Sequence, residues 1–527
     1  MPVDTPAPAP DAVRLRGSLG PTAIVFMVVA AAAPLTVVAA SPIAMALTNG
    51  GGVPANYLVA GAILLLFAVG FTAMAHHIED AGAFYAFIGA GLGRVVGSGA
   101  AFLALFTYLA IQTAIYAFFG YSASALLGSL GIPGTPWAMW SALAIAAVAL
   151  LGYRDIDLSA RVLGVLLVLE VLVVLVLAAA VLVAGGSEGE GVTVASFSPA
   201  VILSGPVGLG VMMAFGGYSG FESTAIFRDE ARDPARTIPR ATYAAVIAIG
   251  VFYTLATWAL VVAWGTGGIQ GLALEHTGDL LQLTATSYVG SWLAQAIAVL
   301  LCTSLLACVI SFHNVVSRYL HSLGRTGLLP AHLAGTHAAH GSPHRASVVV
   351  TIASGFLLVV WTALGWDPLL QVFTWISSIG AIGIILLFVL ASIAVIAFFA
   401  RTRLDRRPWN TVIAPLLALV GLVTVLVLAV TNFPTLTGST DPVLNTTLVG
   451  SAVAAFCVGV VVAVRVRRTR PATWARLRFD PRGPDPADPA AAPVPAVAAV
   501  LSDPTDPTVA SDPATSADAP DPARIRG

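Results

Sequence analysis

Long, nearly uncharged apolar runs dominate this chain, and they limit its fold more than any other feature. Each run is close to the 20 or so apolar residues that an α-helix needs to cross the hydrocarbon core of a bilayer. We therefore predict an all-α polytopic membrane protein with twelve transmembrane helices. The twelve runs lie near 21–48, 54–76, 97–128, 137–153, 160–184, 205–227, 241–264, 289–316, 346–365, 369–399, 411–431 and 443–464.

The composition excludes several other classes of protein. Only 10% of the 527 residues are charged, whereas a soluble domain has about 25%. Such a chain cannot coat the surface of a conventional soluble enzyme, and it lacks the basic face that nucleic-acid binding requires. The three cysteines lie inside apolar runs, without metal-binding spacing. We therefore expect no enzyme, no nucleic acid partner, no bound metal and no cofactor other than a coupling ion.

The placement of arginine predicts the topology. All 25 basic residues are arginines, and every one falls on the same side of a twelve-span drawing. The positive-inside rule puts that side, with both termini, in the cytoplasm, and we expect a multi-pass protein of the plasma membrane. Residues 1–20 then form a cytoplasmic tail and 21–465 the helical domain. The segment 466–527, rich in Pro, Ala and Asp, is predicted to be a disordered cytoplasmic tail.

Two of the runs contain residues that interrupt a helix at mid-depth. In the first run Pro34, which lacks an N–H group, follows an all-alanine stretch at 30–33 and by itself favours a simple kink. In the sixth run Gly216, Gly217 and Gly220 each weaken the helix by about 1 kcal/mol, which predicts unwinding. Bare backbone at that depth is tolerated where it lines a cavity. An offset of five helices is typical of two inverted five-helix repeats.

The segment around the second interruption carries motifs of a known family. Gly220-Phe221-Glu222, the acidic pair after it and Ile238-Pro239-Arg240-Ala241 resemble the sixth-helix signature of amino acid–polyamine–organocation (APC) permeases. The Gly-Leu-Gly-Arg that ends at Arg94 and the Gly-Arg-x-Gly-x-Leu-Pro that ends at Pro330 resemble two further patterns. The resemblance covers roughly 17–465. It implies the LeuT-like APC fold: a five-plus-five inverted repeat with helices 1 and 6 broken, followed by helices 11 and 12. Where many members have Gly-Ser-Gly in helix one, this chain has Ala-Ala-Ala-Pro.

The same resemblance implies a function and a site. It indicates a secondary active transporter that moves amino acids or related amines by alternating access, with the substrate held by main-chain groups at both breaks. Tyr218 matches the aromatic that covers the substrate as a gate, and the alternative is a packed interface aromatic. Tyr108 and Gln112, one turn apart on helix three, either face the cavity or pack between helices. The implied contact residues are Ala31, Ala32, Ala33, Gly216, Gly217, Tyr218 and Ser219, with Tyr108 and Gln112 as further candidates.

Coupling to an ion has its own candidate residues. Glu170 and Glu222 lie in apolar runs, where ionisable groups are costly and mark functional candidates. Glu222 carries a proton or pairs with an arginine, while we interpret Glu170 as a structural anchor. Thr303 and Ser304 lie where sodium-using relatives of this fold hold ligands, or they pack as ordinary helix hydroxyls. Because the chain has no lysine, a fixed ammonium is excluded, whereas proton coupling, sodium coupling and exchange all stay open.

Other functions predict other features. A polyamine or other organocation exchanger of the same fold is the nearest alternative. A channel or receptor belongs to a different class. A channel needs a continuous polar pore, and the sequence contains no repeated polar segment that would line one. A membrane-embedded enzyme needs clustered His, Asp and Glu at depth, and only two carboxylates lie there. The partners expected are therefore the lipid bilayer and a small-molecule substrate.

Overall fold

The computed structural model describes residues 20–78, 83–153, 160–222, 224, 231, 233–336 and 342–477. Within these ranges the regular structure is helical, apart from isolated bridge residues such as Ser187 and Gly191, which pair in an antiparallel bridge. Nine of the described helices are long and apolar enough to cross a membrane. The shorter apolar helices include Pro34–Leu47, Trp137–Gly152 and Val207–Gly217. An all-helical, multi-pass protein is confirmed, and the count of twelve spans stays a prediction.

The helices follow the predicted runs along the chain. The first half contains α1 (Pro21–Ala31), α2 (Pro34–Leu47), α3 (Val53–Ala75), α4 (Ala83–Leu92), α5 (Arg94–Ser129), α6 (Trp137–Tyr153), α7 (Ala160–Val183), α8 (Pro199–Ile202) and α9 (Val207–Gly217). The second half contains α10 (Pro234–Trp264), α11 (Ile269–Glu275), α12 (Leu280–Tyr288), α13 (Ser291–Arg325), α14 (His344–Ala363), α15 (Thr374–Thr402), α16 (Ala414–Thr431), α17 (Phe433–Thr437), α18 (Pro442–Thr469) and α19 (Pro471–Arg476). Short 3₁₀ turns occur at Gly50–Gly52, Ala195–Phe197 and Ala331–Ala334.

Two Asp-Pro pairs show how the sequence starts helices. The side chain of Asp441 accepts a hydrogen bond from the Val443 N–H at 2.9 Å, and Pro442 takes the first position of α18. Asp367 caps the π-helical turn Pro368–Phe373, which leads into α15, by accepting from the Leu369 N–H at 2.9 Å. Aspartate satisfies a donor that the first helical turn leaves unpaired, and proline there loses no helical bond.

The segments between helices that contain arginine, called links here, contact one another at one end of the bundle. The Arg94 guanidinium, at the start of α5, donates to the Trp474 carbonyl at 3.0 Å. The guanidinium of Arg401, at the end of α15, donates to the Gly91 carbonyl at 2.9 Å. Trp474 lies on α19, which follows the predicted tail boundary at 465. The rest of that predicted tail, 478–527, lies outside the described residues.

Links without arginine meet one another elsewhere. Glu190 accepts hydrogen bonds from the Thr266 N–H at 2.8 Å and the Gly267 N–H at 3.2 Å. The bond from Thr266 is the largest cause of a lowered pKa for the Glu190 carboxyl. The Asn49 side chain donates to the Ile202 carbonyl at 3.0 Å. These contacts agree with the predicted separation of the links into two sets, and the orientation in the cell remains a prediction.

An aromatic cluster holds the end of α9 against α3 and α15. The ring centre of Phe388 lies 5.0 Å from that of Phe67, 5.7 Å from that of Phe221 and 6.4 Å from that of Phe215. Such aromatic contacts bury large apolar areas and add about 1 kcal/mol each beyond burial. The last turn of α9 is thereby fixed beside α15.

Candidate functional site

The first apolar run is interrupted in its middle. α1 ends at Ala31 and α2 begins at Pro34, so Ala32 and Ala33 lie outside both helices. Ala33 has a φ of 46° and a ψ of 70°, a left-handed conformation that costs a residue with a side chain about 1 kcal/mol. Pro34 occupies the first turn of α2, where its fixed φ suits a helix start. Proline therefore begins a second helix here instead of kinking a continuous one.

Main-chain donors are left over at this interruption. The Leu35 N–H donates to a carboxylate oxygen of Glu170 at 3.4 Å. No hydrogen-bond acceptor among the described residues faces the N–H groups of Ala33 and Thr36. The first N–H groups of any helix need partners from outside the helix. This start of α2 can therefore donate hydrogen bonds to a ligand.

The sixth run loses its α-helical form at the predicted glycines. α9 ends at Gly217, and tight turns follow, in which the Tyr218 N–H donates to the Phe215 carbonyl at 3.1 Å and the Ser219 N–H to the Gly216 carbonyl at 3.2 Å. Gly220 has a φ of 105°, which favours glycine. Beyond residue 222 the second half of this run lies largely outside the described residues, so a broken sixth helix stays a prediction.

A cavity of about 130 Å³ lies between the two segments. The first interruption, α2 and α9 form one part of its wall, and α3, α5, α13 and α15 with its π-helical turn form the rest. Its lining consists of Ala32, Ala33, Thr36, Val37, Ala40, Ser41, Ala44, Tyr57, Ile111, Ile115, Met213, Gly216, Gly217, Ser219, Cys308, Phe312, Phe373, Thr374, Ser377, Ser378 and Ala381.

Five of the predicted contact residues line this cavity. They are Ala32, Ala33, Gly216, Gly217 and Ser219. The hydroxyl of Ser219 is buried without a hydrogen-bond partner among the described residues. Ala31 ends α1, and its side chain lies outside the described part of the structure. Ala32 and Ala33, between α1 and α2, therefore line one cavity together with residues at the end of α9, and their contact with a substrate stays a prediction.

Tyr218 does not line the cavity. Its side chain is fully buried, and its hydroxyl donates to the Tyr57 carbonyl on α3 at 2.7 Å. A Cβ atom at Gly61 of α3 or at Gly250 of α10 would lie 2.6 Å from the Tyr218 hydroxyl oxygen. Those glycines leave the space that the phenol fills. The geometry favours the packed interface aromatic over the predicted gate.

Tyr108 and Gln112 also lie outside the lining. The Tyr108 hydroxyl donates to Glu222 at 3.1 Å, and the Gln112 amide lies 3.3 Å from a ring nitrogen of His313. The residues of α5 that line the cavity are Ile111 and Ile115. Three residues along a helix differ by about 60° in direction. The geometry therefore favours the packing alternative for Tyr108 and Gln112.

The two intramembrane carboxylates are bonded to the protein's own donors. Glu222 accepts from the Gly220 N–H at 2.9 Å as well as from Tyr108. Glu170 accepts from the Ser304 hydroxyl at 3.0 Å in addition to the Leu35 N–H, and Ser304 lies 3.2 Å from the Thr36 hydroxyl. Glu170 thus anchors the start of α2 to α7 and α13, as its sequence position predicted.

The remaining coupling candidate, Thr303, bonds within its own helix. Its hydroxyl donates to the Leu300 carbonyl at 2.9 Å, which is the helix-packing alternative. Ser304, by contrast, is connected to the start of α2 through Glu170 and directly through the Thr36 hydroxyl.

Three aromatic lining residues were not found from the sequence. They are Tyr57, Phe312 and Phe373. In an apolar run an aromatic that faces a cavity has the same sequence signature as one that faces lipid. Only Phe373 has a local marker, because it ends the π-helical turn before α15, and such turns are frequent at functional sites.

Comparison with known proteins identifies the family. The amino acid permease family profile matches residues 19–461. The chain is 26% identical to the low-affinity putrescine importer PlaP of Escherichia coli K12, over 70% of this chain and 81% of that protein. It is 24% identical to the branched-chain amino acid permease BcaP of Bacillus subtilis 168, over 67% and 74%. It is 25% identical to a probable GABA permease of Pseudomonas aeruginosa, over 64% and 70%.

These relatives are transporters and not enzymes, which agrees with the predicted class. Because the profile covers most of the chain, including the interrupted first run and α9, the chain belongs to the amino acid permease family.

Proposed function

We propose that this protein is a secondary active transporter of amino acids or related amines that works by alternating access. The observation that carries the proposal is the cavity at the first interruption, beside the end of α9. Main-chain N–H groups and the Ser219 hydroxyl lie there, and the described residues provide no hydrogen-bond partner for them. Main-chain groups at helix ends bind the charged groups of a zwitterion without charged side chains.

The topology that we propose has twelve spans, of which the first ten form a five-plus-five inverted repeat. α1 with α2 is the first span, and α9 belongs to the sixth. α16 and α18 are the eleventh and twelfth spans. Each predicted run contains at least one described apolar helix. The meeting of arginine-containing links supports termini on one side, which we propose is the cytoplasmic side of the plasma membrane.

We propose that the substrate contacts Ala32, Ala33, Gly216, Gly217 and Ser219. The protein alternates between a state open to one side of the membrane and a state open to the other when one group of helices rocks against the other. A proton or a sodium ion is the proposed coupling ion. Glu222 and Ser304 are the favoured coupling residues, since both join separate helices through hydrogen bonds.

Solute counterflow in proteoliposomes tests the proposal. Purified protein, loaded inside with unlabelled amino acid, should accumulate the labelled one transiently and saturably. Imposed proton and sodium gradients should then reveal which ion, if either, drives uptake. A channel would equilibrate label without transient accumulation, and the absence of counterflow for every amino acid and polyamine would overturn the proposal.

A second candidate is a polyamine exchanger of the same fold. The specific observation in its favour is the similarity to a protein named a putrescine importer. Counterflow of labelled putrescine, measured beside labelled leucine, separates the two candidates.

A further inference from the structure

The cavity carries no ionised side chain among the described residues that line it. Its polar side chains are hydroxyls, such as those of Thr36, Ser219 and Ser377, with the Cys308 thiol, and the remainder is apolar or small. From this lining we infer that the transported solute is a neutral amino acid zwitterion with an apolar side chain. Diamines and charged amino acids are rejected. The inference rests on the proposed transport function and specifies its substrate class.

Buried carboxylates are present nearby but do not reach the cavity. Glu170 is bonded to Leu35 and Ser304, and Glu222 is bonded to Tyr108 and Gly220. Neither glutamate belongs to the lining. Because neither carboxylate lines the cavity, a second ammonium group bound there gains no direct contact with an opposite charge.

One carboxylate and one ammonium group, by contrast, fit the groups available. The N–H groups of Ala33 and Thr36 at the start of α2 have no hydrogen-bond partner among the described residues. They suit a carboxylate, since the positive end of the helix dipole lies there. Carbonyl and hydroxyl oxygens around the cavity suit an ammonium group. The two substrate charges also neutralise each other in part. Any additional net charge loses its water without gaining an opposite charge, which is strongly unfavourable.

The apolar part of the lining favours an apolar substituent. Ile111 and Ile115 of α5, Met213 of α9, Phe312 of α13 and Phe373 supply it. An aliphatic side chain placed against these residues leaves water for apolar surface and binds more tightly with each methylene. A zwitterion without such a side chain forgoes this gain.

The first experiment compares solutes on the wild-type protein. Counterflow and ligand-induced thermal stabilisation are measured with leucine, isoleucine, valine, putrescine, arginine, glutamate and GABA. Apolar amino acids should bind at least about tenfold more tightly than the charged solutes, as expected when an unpaired charge costs 1.4 kcal/mol or more. Preference for putrescine, arginine, glutamate or GABA would overturn the inference and leave the transport function intact. Failure of every solute in both assays would overturn the proposed function and the inference with it.

A matched pair of variants tests the electrostatic reason. Met213 lines the cavity and is partly buried on α9. Met213→Glu places a carboxylate there, and Met213→Gln is its uncharged control of similar length. The carboxylate should shift the ratio of putrescine to leucine affinity toward putrescine by at least about tenfold, whereas the amide should not. Equal ratios for the two variants would refute the account of charge rejection, and the wild-type panel tests it even if Met213→Glu folds poorly.

Discussion

Gly216 offers a perturbation in which stability and transport should change in opposite directions. It lies in the last turn of α9, lines the cavity and is exposed there. A Cβ atom added at Gly216 would meet no described atom within 4 Å. Replacing a helical glycine by alanine favours the helix by about 0.5–1 kcal/mol. Gly216→Ala and Gly216→Leu should therefore unfold at the wild-type temperature or above it.

The functional effect follows from volume. Because Gly216 lines a cavity of about 130 Å³, the four carbons that leucine adds there take space from the substrate. Gly216→Leu should abolish saturable uptake, and Gly216→Ala should raise KM several-fold.

The control for Gly216 is Gly355 on α14. A Cβ atom there also meets nothing within 4 Å, and the residue does not line the cavity. Gly355→Leu should leave uptake unchanged. Uptake kinetics in proteoliposomes and thermal unfolding in detergent provide the two readouts. Wild-type kinetics for Gly216→Leu would refute the assignment of this cavity as the substrate site.

Three more predictions concern contacts around the site and in the loops. Tyr218→Phe should lower the stability by about 1 kcal/mol with little change in KM. Gly61→Ala should be less destabilising in that background than alone, and a double-mutant cycle of melting temperatures would detect the difference. A large change in KM for Tyr218→Phe would favour the predicted gate instead. Glu170→Leu leaves the Leu35 N–H without its acceptor and should lower the stability by roughly 1–3 kcal/mol. Glu170→Gln retains an acceptor and should lower it less. Equal losses of stability in the two variants would contradict the anchoring role. The Glu190 carboxyl has a folded-state pKa below its ordinary value of 4.5 because of the Thr266 N–H, so its contribution is present above pH 4.5 and is lost as the pH falls further. The stability difference from Glu190→Gln, a few tenths of a kcal/mol for so exposed a group, should vanish in acid, and a difference that persists there would be inconsistent.

The sequence was most informative where a single residue type has a strong physical effect. Apolar runs identified the long helices because lipid leaves few alternatives for uncharged segments. Pro34 and the glycines at 216, 217 and 220 marked the interruptions because they act on the backbone itself. The short helices α4, α11 and α12 lie outside the predicted runs, since a helix of about ten residues or fewer leaves little periodic signal.

Side-chain direction was harder to predict than position. Tyr108 and Gln112 differ from the lining residues of α5 only by a rotation about the helix axis. Tyr218 follows the glycines immediately, and its direction depends on space left by Gly61 and Gly250, which are remote in sequence. Such information arises only when helices pack.

The side chain of Tyr218 connects three segments. It extends from the end of α9 between glycines of α3 and α10, and its hydroxyl donates a hydrogen bond to the main chain of α3. If one of these segments tilted alone, the hydrogen bond between Tyr218 and Tyr57 would break or the Tyr218 ring would clash with Gly61 or Gly250. In the proposed rocking motion these three segments should move together, and the path for the solute should open between helices that Tyr218 does not connect.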